Sequence, residues 1–154
     1  MERKPQYATI TLIRSYRVPP SQVFAEFANP IARACWSTPS EDVLIYNEAD
    51  FRTDGRDIFR CCSKDRPKFS GETRYLVIVP DRRVVASETL DADGQRISVC
   101  LNTQEFDAAE DGTILTMTLQ IVSFAGLEVI HKYESENKIG LENLSKHLKS
   151  LCAA

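Results

Sequence analysis

Six successive segments of the chain alternate apolar and polar side chains, and short separators rich in Asp, Gly and Pro join them. The segments span residues 41–51, 56–62, 68–79, 83–90, 96–106 and 113–122. A period of two is typical of strands that bury one face, and none of the separators has the length of a crossover helix. This pattern predicts an antiparallel meander and argues against a parallel sheet.

Residues 127–154 change to a helical period. Apolar side chains recur there at spacings of three and four, interrupted by a single amide: Ile130, Tyr133, Asn137, Leu141, Leu144, Leu148 and Leu151. We therefore expect a long amphipathic helix. Such a helix must bury its apolar stripe, and one face of a curved sheet is the only surface available, so the helix is predicted to lie against that face.

The stretch RSYRVPPSQVFAEFANPIARACW, residues 14–36, predicts the end of a strand followed by two short helices. Alternation over residues 8–18 indicates the strand. Pro20 suits a first helical turn, because its missing N–H would have no partner there. Asn29 precedes Pro30, which disfavours the α conformation at Asn29, and its side chain can cap a second helix. The complete order predicts an α+β fold in which a curved antiparallel sheet wraps around the long C-terminal helix.

Composition limits the classes of partner. With 154 residues, 43% apolar and 27% charged, the chain has the profile of a globular protein with one domain over residues 1–154. A net charge of -3 gives no electrostatic reason to expect nucleic-acid binding. No run approaches the ~20 apolar residues of a membrane span. The amino terminus MERKPQYATI lacks the apolar stretch of a signal peptide, so a cytoplasmic location is expected.

The sequence contains no motif for a metal or a cofactor. The five cysteines have neither the even number of a disulfide scaffold nor metal-ligand spacing, and His131 and His147 are too far apart on one helix to chelate a metal. The G-x-G-x-x-G, P-loop and H-E-x-x-H motifs are absent. We therefore predict no metal and no cofactor, and no nucleophile–base pair identifies a catalytic residue.

Four segments between residues 18 and 148 form one pattern through their order and spacing: VPPSQVFAEFANPIARACW, LVIVPDRRVVASETL, FDAAEDGTILTMTLQ and KIGLENLSKHL. Together they resemble the START-like, or SRPBCC, helix-grip superfamily, and within it the family similar to the activator of heat-shock protein 90 ATPase. Two places depart from the family pattern. Leu141 stands where the family usually has Trp, and CWSTPS stands where it often has a Trp pair.

The resemblance implies a cavity between the C-terminal helix and the sheet that binds a hydrophobic or amphipathic small molecule. Two alternatives stay open, because a fold alone does not select a function. One is a co-chaperone-like stimulator of a heat-shock protein ATPase, with a chaperone as partner. The other is a cyclase or hydrolase that uses an acid in the cavity. The chain is expected to be a monomer or a homodimer.

We expect six residues to line this cavity: Trp36, Glu88, Met117, Tyr133, Asn137 and Leu141. Asn137 could offer a donor and an acceptor to a ligand, or it could be a buried amide bonded to water or to the sheet. Tyr133 could direct its hydroxyl to the cavity or to the surface. Met117 shares an apolar strand face with Leu115 and Leu119, so it belongs either to the core or to the cavity wall.

Glu88 is ambiguous because either face of its strand can turn inward. If the face that carries Val84 and Leu90 turns inward, Glu88 does too. A buried carboxyl then either has a raised pKa, which suits general acid catalysis, or pairs with a cation such as Arg60 or Arg74. The opposite pleat would leave Glu88 exposed.

The next strand carries a second ambiguity. Ile97 and Leu101 share one face, and Phe106 falls on the other. We expect either a β-bulge between Asn102 and Glu105 or a buried face that shifts along the strand.

Overall fold

The computed structural model describes residues 3–39, 42–61 and 68–152. Its elements in chain order are β1 (Gln6–Tyr16), α1 (Pro20–Ala28), α2 (Pro30–Trp36), β2 (Leu44–Ala49), β3 (Arg56–Cys61), β4 (Phe69–Val79), β5 (Arg83–Ala92), β6 (Gln95–Ala109), β7 (Gly112–Ser123) and α3 (Leu127–Cys152). The strands form one antiparallel sheet in the order β1-β7-β6-β5-β4-β3-β2. The sheet curves around α3, which confirms the predicted α+β helix-grip fold. None of the helices in the described segments is long and apolar enough to cross a membrane.

The predicted meander corresponds to β2 through β7, with shifted ends. Strand β2 is shorter than predicted at both ends, and β6 continues to Ala109 and pairs with β7 up to the turn. Residues 40–41 and 62–67 lie outside the described residues, and with them the predicted separator 63–67 and the predicted end of a strand at Cys62. The last predicted strand agrees closely with β7, because its alternation is the most regular in the chain.

The prolines and Asn29 divide the segment after β1 as the sequence predicts. Pro20 occupies the first turn of α1, and Asn29 leaves the helical conformation with φ -92° and ψ 113°. The Asn29 side-chain oxygen accepts hydrogen bonds from the backbone N–H groups of Ile31 at 2.9 Å and of Ala32 at 3.3 Å. This cap satisfies donors that a helix end leaves unpaired, and it sets the direction of α2.

The tightest part of the core lies where the C-terminal half of α3 contacts β1 and β7. Leu141 and Leu144 are fully buried there. The Tyr16 hydroxyl donates a hydrogen bond to the carbonyl oxygen of Leu141 at 3.1 Å, which joins β1 to α3. A Cβ on Gly140 would lie 3.1 Å from the Ser37 carbonyl oxygen, so the absence of a side chain allows α3 to approach the end of α2 closely.

The inward face of β6 differs from the expectation. The bulge predicted between Asn102 and Glu105 is wrong, because β6 pairs with β7 without interruption there. The irregularity lies instead at Ile97, which is skipped in the pairing with β5. Phe106 reaches the core without a bulge, and Leu101 is exposed. The inward face therefore carries Asn102 among apolar residues, so it does not show the purely apolar pattern of a strand face in a closed core.

We expect Asn29→Ala to lower the free energy of unfolding by about 1 kcal/mol, because two N–H groups of α2 lose their acceptor. Urea denaturation followed by circular dichroism measures this difference. Asn29→Asp is the matched control, since its carboxylate keeps the acceptor oxygen. Equal losses in the two variants would contradict a capping role.

Candidate functional site

A cavity of about 380 Å³ lies between the N-terminal half of α3 and the concave face of the sheet. Its walls come from α1 and α2, from β2 through β6 and from α3. Small-molecule sites have volumes of roughly 300–1,000 Å³, so this cavity is large enough for a compact organic ligand.

Aromatic side chains dominate the wall. More than half of the aromatic residues in the chain line the cavity: Phe27, Tyr46, Phe51, Phe59, Phe69, Tyr75 and Tyr133. Phe51 contacts Tyr75 edge to face with ring centroids 4.9 Å apart, a favoured arrangement of aromatic pairs. The rings therefore present large apolar surfaces whose positions are fixed by their contacts with each other.

A buried ion pair joins α2 to the sheet at one side of the cavity. Arg33 Nη1 donates to Asp57 Oδ2 at 2.8 Å, and it also donates to the Tyr75 hydroxyl. The Tyr75 hydroxyl in turn donates to Asp57 Oδ2. Asp57 Oδ1 accepts from the backbone N–H of Asp50 at 3.1 Å. Both oxygens of this carboxylate, which is only 1% exposed, are thus hydrogen-bonded.

The rest of the Arg33 guanidinium is packed against aromatic rings. Its Cζ lies 4.9 Å from the Tyr46 ring centroid and 5.9 Å from that of Phe51. Burial by itself would lower the pKa of Arg33, but Tyr46, Tyr75 and Asp57 raise it above the usual value. Nε and Nη2 are buried with no hydrogen-bond partner among the described residues, so stacking on the rings offsets part of their desolvation.

Glu88 lines the cavity from β5, together with Val84. Of the two strand faces that the sequence left open, the one that carries Val84 and Glu88 therefore turns inward. The Tyr133 hydroxyl faces the Glu88 carboxyl, and it lies 3.1 Å from Ser98 Oγ. Burial raises the pKa of Glu88 to about 7, the Tyr133 hydroxyl opposes that rise, and the nearby Glu136 adds to it. Glu88 therefore exchanges its proton near neutral pH.

Neither arginine considered as a partner for Glu88 reaches it. Arg60 and Arg74 are exposed, and Arg74 forms an ion pair with Glu72. The pairing hypothesis is wrong because both arginines alternate onto the outer face of the sheet.

Asn137 and Tyr133 also line the cavity, from α3. The Asn137 amide nitrogen donates to the Tyr133 carbonyl oxygen at 2.8 Å, one turn earlier in the same helix. This bond lies within α3, and no hydrogen bond joins Asn137 to the described part of the sheet. The Tyr133 hydroxyl points inward, to Glu88 and Ser98, and not to the surface.

Trp36, Met117 and Leu141 lie in the core and not in the cavity wall. The Trp36 ring packs against Phe27 with centroids 4.9 Å apart. Met117 lies on β7, beyond the strands that form the wall, and Leu141 lies in the half of α3 that contacts the sheet directly. These three predicted wall residues therefore lie outside the cavity lining, which ends at Asn137 along α3.

The Arg33, Asp57 and Tyr75 cluster was missed in the sequence because its members come from three elements far apart in the chain. One feature of the sequence indicated the cluster. Asp57 shares a strand face with Phe59, and a carboxylate on an apolar face needs a buried partner. The partner itself, Arg33 on α2, could not be identified without the packing of α2 against the sheet.

The fold and cavity define a helix-grip protein with an aromatic interior. The model of the family described as Activator of Hsp90 ATPase homolog 1-like protein matches residues 17–153, so the chain belongs to that family. Membership supports a ligand-binding or co-chaperone-like role. A comparison with curated proteins gave no significant match.

Solved structures with the same fold come from several bacteria. A putative uncharacterized protein from Rhizobium leguminosarum is 28% identical, with a TM-score of 0.87 over 96% of this chain and 98% of its own. A protein from Rhizobium loti is also 28% identical, with a TM-score of 0.83 over 94% of this chain and 99% of its own. A protein from Chromobacterium violaceum, 23% identical, shares the fold with a TM-score of 0.80 over 90% and 94% of the two chains.

We expect Asp57→Ala to lower the free energy of unfolding by about 3–5 kcal/mol, because it leaves the Arg33 charge buried without its counterion. Chemical denaturation measures the loss. Glu105→Ala is the control, since Glu105 forms an exposed pair with Arg83 and should contribute about 1 kcal/mol or less. The double variant Arg33→Met/Asp57→Leu should recover most of the stability. A double variant as unstable as Asp57→Ala would contradict this explanation.

Folding raises the pKa of Glu88 from 4.5 to about 7, so the folded protein binds more protons than the unfolded chain between these values. The stability that protonated Glu88 contributes is complete below pH 4.5 and is lost as the pH rises through 7. Glu88→Gln should therefore match wild type near pH 4.5 and exceed its stability by about 2 kcal/mol at pH 8. Thermal unfolding across this pH range tests the expectation, and a constant difference at every pH would contradict it.

Proposed function

We propose that this protein binds a hydrophobic or amphipathic small molecule in the cavity between α3 and the sheet. The observation that carries the proposal is a cavity of about 380 Å³ whose wall combines seven aromatic rings with polar side chains. Ligand sites are typically concave and mostly apolar, with a small number of polar groups that orient the ligand. We assign that orienting role to Glu88, Tyr133 and Asn137.

Packing energetics support an occupant. Protein interiors are close-packed, and rings that face an open volume lose the dispersion contacts they would make with neighbouring atoms. A ligand of suitable size restores these contacts and removes apolar surface from water. The ring pairs Phe24–Phe51 and Phe51–Tyr75 keep the wall in position, which lowers the cost of ordering it on binding.

The co-chaperone alternative rests on the family description alone. A stimulator of a chaperone ATPase acts through its outer surface, and that role does not require an internal cavity. The cavity is a property of this chain's own residues, so we give ligand binding precedence over chaperone stimulation.

We expect naphthalen-2-ylmethanol, a neutral aromatic alcohol, to bind in the cavity and raise the melting temperature. A ligand at 100 times its dissociation constant adds about 2.7 kcal/mol to the free energy of unfolding. Differential scanning fluorimetry over a concentration series measures the shift. Ala86→Phe, which adds a ring on the cavity side of β5, should abolish it.

Val85→Phe is the matched control, because it adds the same ring at the next position on the opposite face of β5. This variant should bind the alcohol as wild type does. A wild-type protein whose melting temperature is unchanged at saturating alcohol, or a shift that persists in Ala86→Phe, would contradict binding in the cavity.

A further inference from the structure

Two cations line the cavity among the described residues, and each is paired with an acid. Arg33 lies 2.8 Å from Asp57, as described above. Lys132 Nζ lies 3.6 Å from Glu136 Oε1, four residues along α3. A ligand anion would therefore meet cations whose charge is already balanced.

Glu88 has no such partner among the described residues. The titratable groups that face it are Tyr133 and Glu136 from α3, Cys100 from β6 and Tyr46 from β2. None of these groups is a cation, and Glu136 repels a charge on Glu88. Glu128 also lines the cavity without an ion pair in the described part of the chain, but it is exposed to solvent. Among the described residues, Glu88 is consequently the more buried carboxylate of the cavity without a counterion, and burial makes its compensation valuable.

The aromatic wall suits a cation as well as an apolar group. Both cations of the wall lie over aromatic faces: Arg33 over Tyr46, and Lys132 Nζ 3.8 Å from the Phe69 ring centroid. Aromatic faces attract cations through their quadrupole, and aromatic cages are a known means of recognising organic ammonium groups. The cavity thus combines a carboxylate without a counterion and the ring faces that stabilise a positive charge.

We propose that the ligand is an organic amine whose apolar part fills the aromatic cavity and whose ammonium group contacts Glu88. This inference rests on the proposed function, since it names the chemical class of the ligand in that same cavity. The ammonium supplies the charge that Glu88 lacks, and Tyr133, held by its contact with Ser98, fixes the carboxylate for it. Loss of the proton from Glu88 and binding of the amine are therefore coupled.

The test compares three naphthalene probes that share one ring system. They are naphthalen-2-ylmethanamine, which is an ammonium at neutral pH, naphthalen-2-ylmethanol and 2-naphthoate. Isothermal titration calorimetry at pH 8 should give an affinity for the amine at least about tenfold higher than for the alcohol, as expected for a charge-assisted hydrogen bond. Lowering the pH from 8 to 6 should weaken amine binding several-fold and leave alcohol binding nearly unchanged, because Glu88 becomes protonated.

Glu88→Gln should remove the preference for the amine, so that the amine and the alcohol bind with similar affinities. Glu134→Gln is the matched control, since it deletes the same charge from the exposed side of α3, where Glu134 pairs with Lys138 at 2.9 Å. The pH series on wild type keeps the inference testable if Glu88→Gln fails to fold. Alcohol binding equal to or tighter than amine binding would overturn the inference and leave the proposed function standing.

Tighter binding of 2-naphthoate would also overturn the inference, because it would place the polar end of the ligand at a cation. Failure of all three probes to bind would contradict the proposed function itself, and the inference with it. An amine preference that survives in Glu88→Gln would show that the rings or Glu136 select the cation, and would overturn the role of Glu88.

Discussion

The structure depends on how the sheet holds α3, a helix that serves as core along one half and as cavity wall along the other. Leu144 and its neighbours bury the C-terminal half against β1 and β7. The hydrogen bond from Tyr16 to Leu141 and the close approach of Gly140 to Ser37 determine how deeply that half sits. The same rigid helix then extends over the concave face of β2 through β6, so the depth of docking at one end sets the height of the cavity at the other.

The opposite wall is held by a charged cluster in an otherwise aromatic environment. Burying an ion pair is costly, and apolar replacements of similar volume are often as stable. Here Arg33, Asp57 and Tyr75 connect α2, β3 and β4 with directional hydrogen bonds, which apolar contacts would not provide. The cluster therefore fixes the position of α2 relative to the sheet, and the rings of Tyr46 and Phe51 gain a cation on their faces.

Features that depend on the backbone of one element could be predicted from the sequence. Features that depend on contacts between elements could not. The periods of two and 3.6, Pro20 and the Asn29 cap predicted the order of elements, because each depends on local backbone geometry. The inward face of β6 could not be predicted from apolar alternation, because a strand that faces a cavity can carry polar residues such as Asn102. The sequence does not say where along α3 direct contact with the sheet ends and the cavity begins. Trp36, Met117 and Leu141 were therefore predicted in the cavity wall, although they lie in the core.

The division of α3 into two halves also separates the residues that keep the protein folded from those that determine what the interior accepts. Wall positions such as Asn102 and Gln104 border the open volume and take little part in the contacts that dock the helix. Changes at these positions alter the chemistry of the interior at little cost to stability. Substitutions can therefore accumulate in the wall while the docked half stays constant, and a chain of this design can diversify in specificity over evolutionary time without losing its fold.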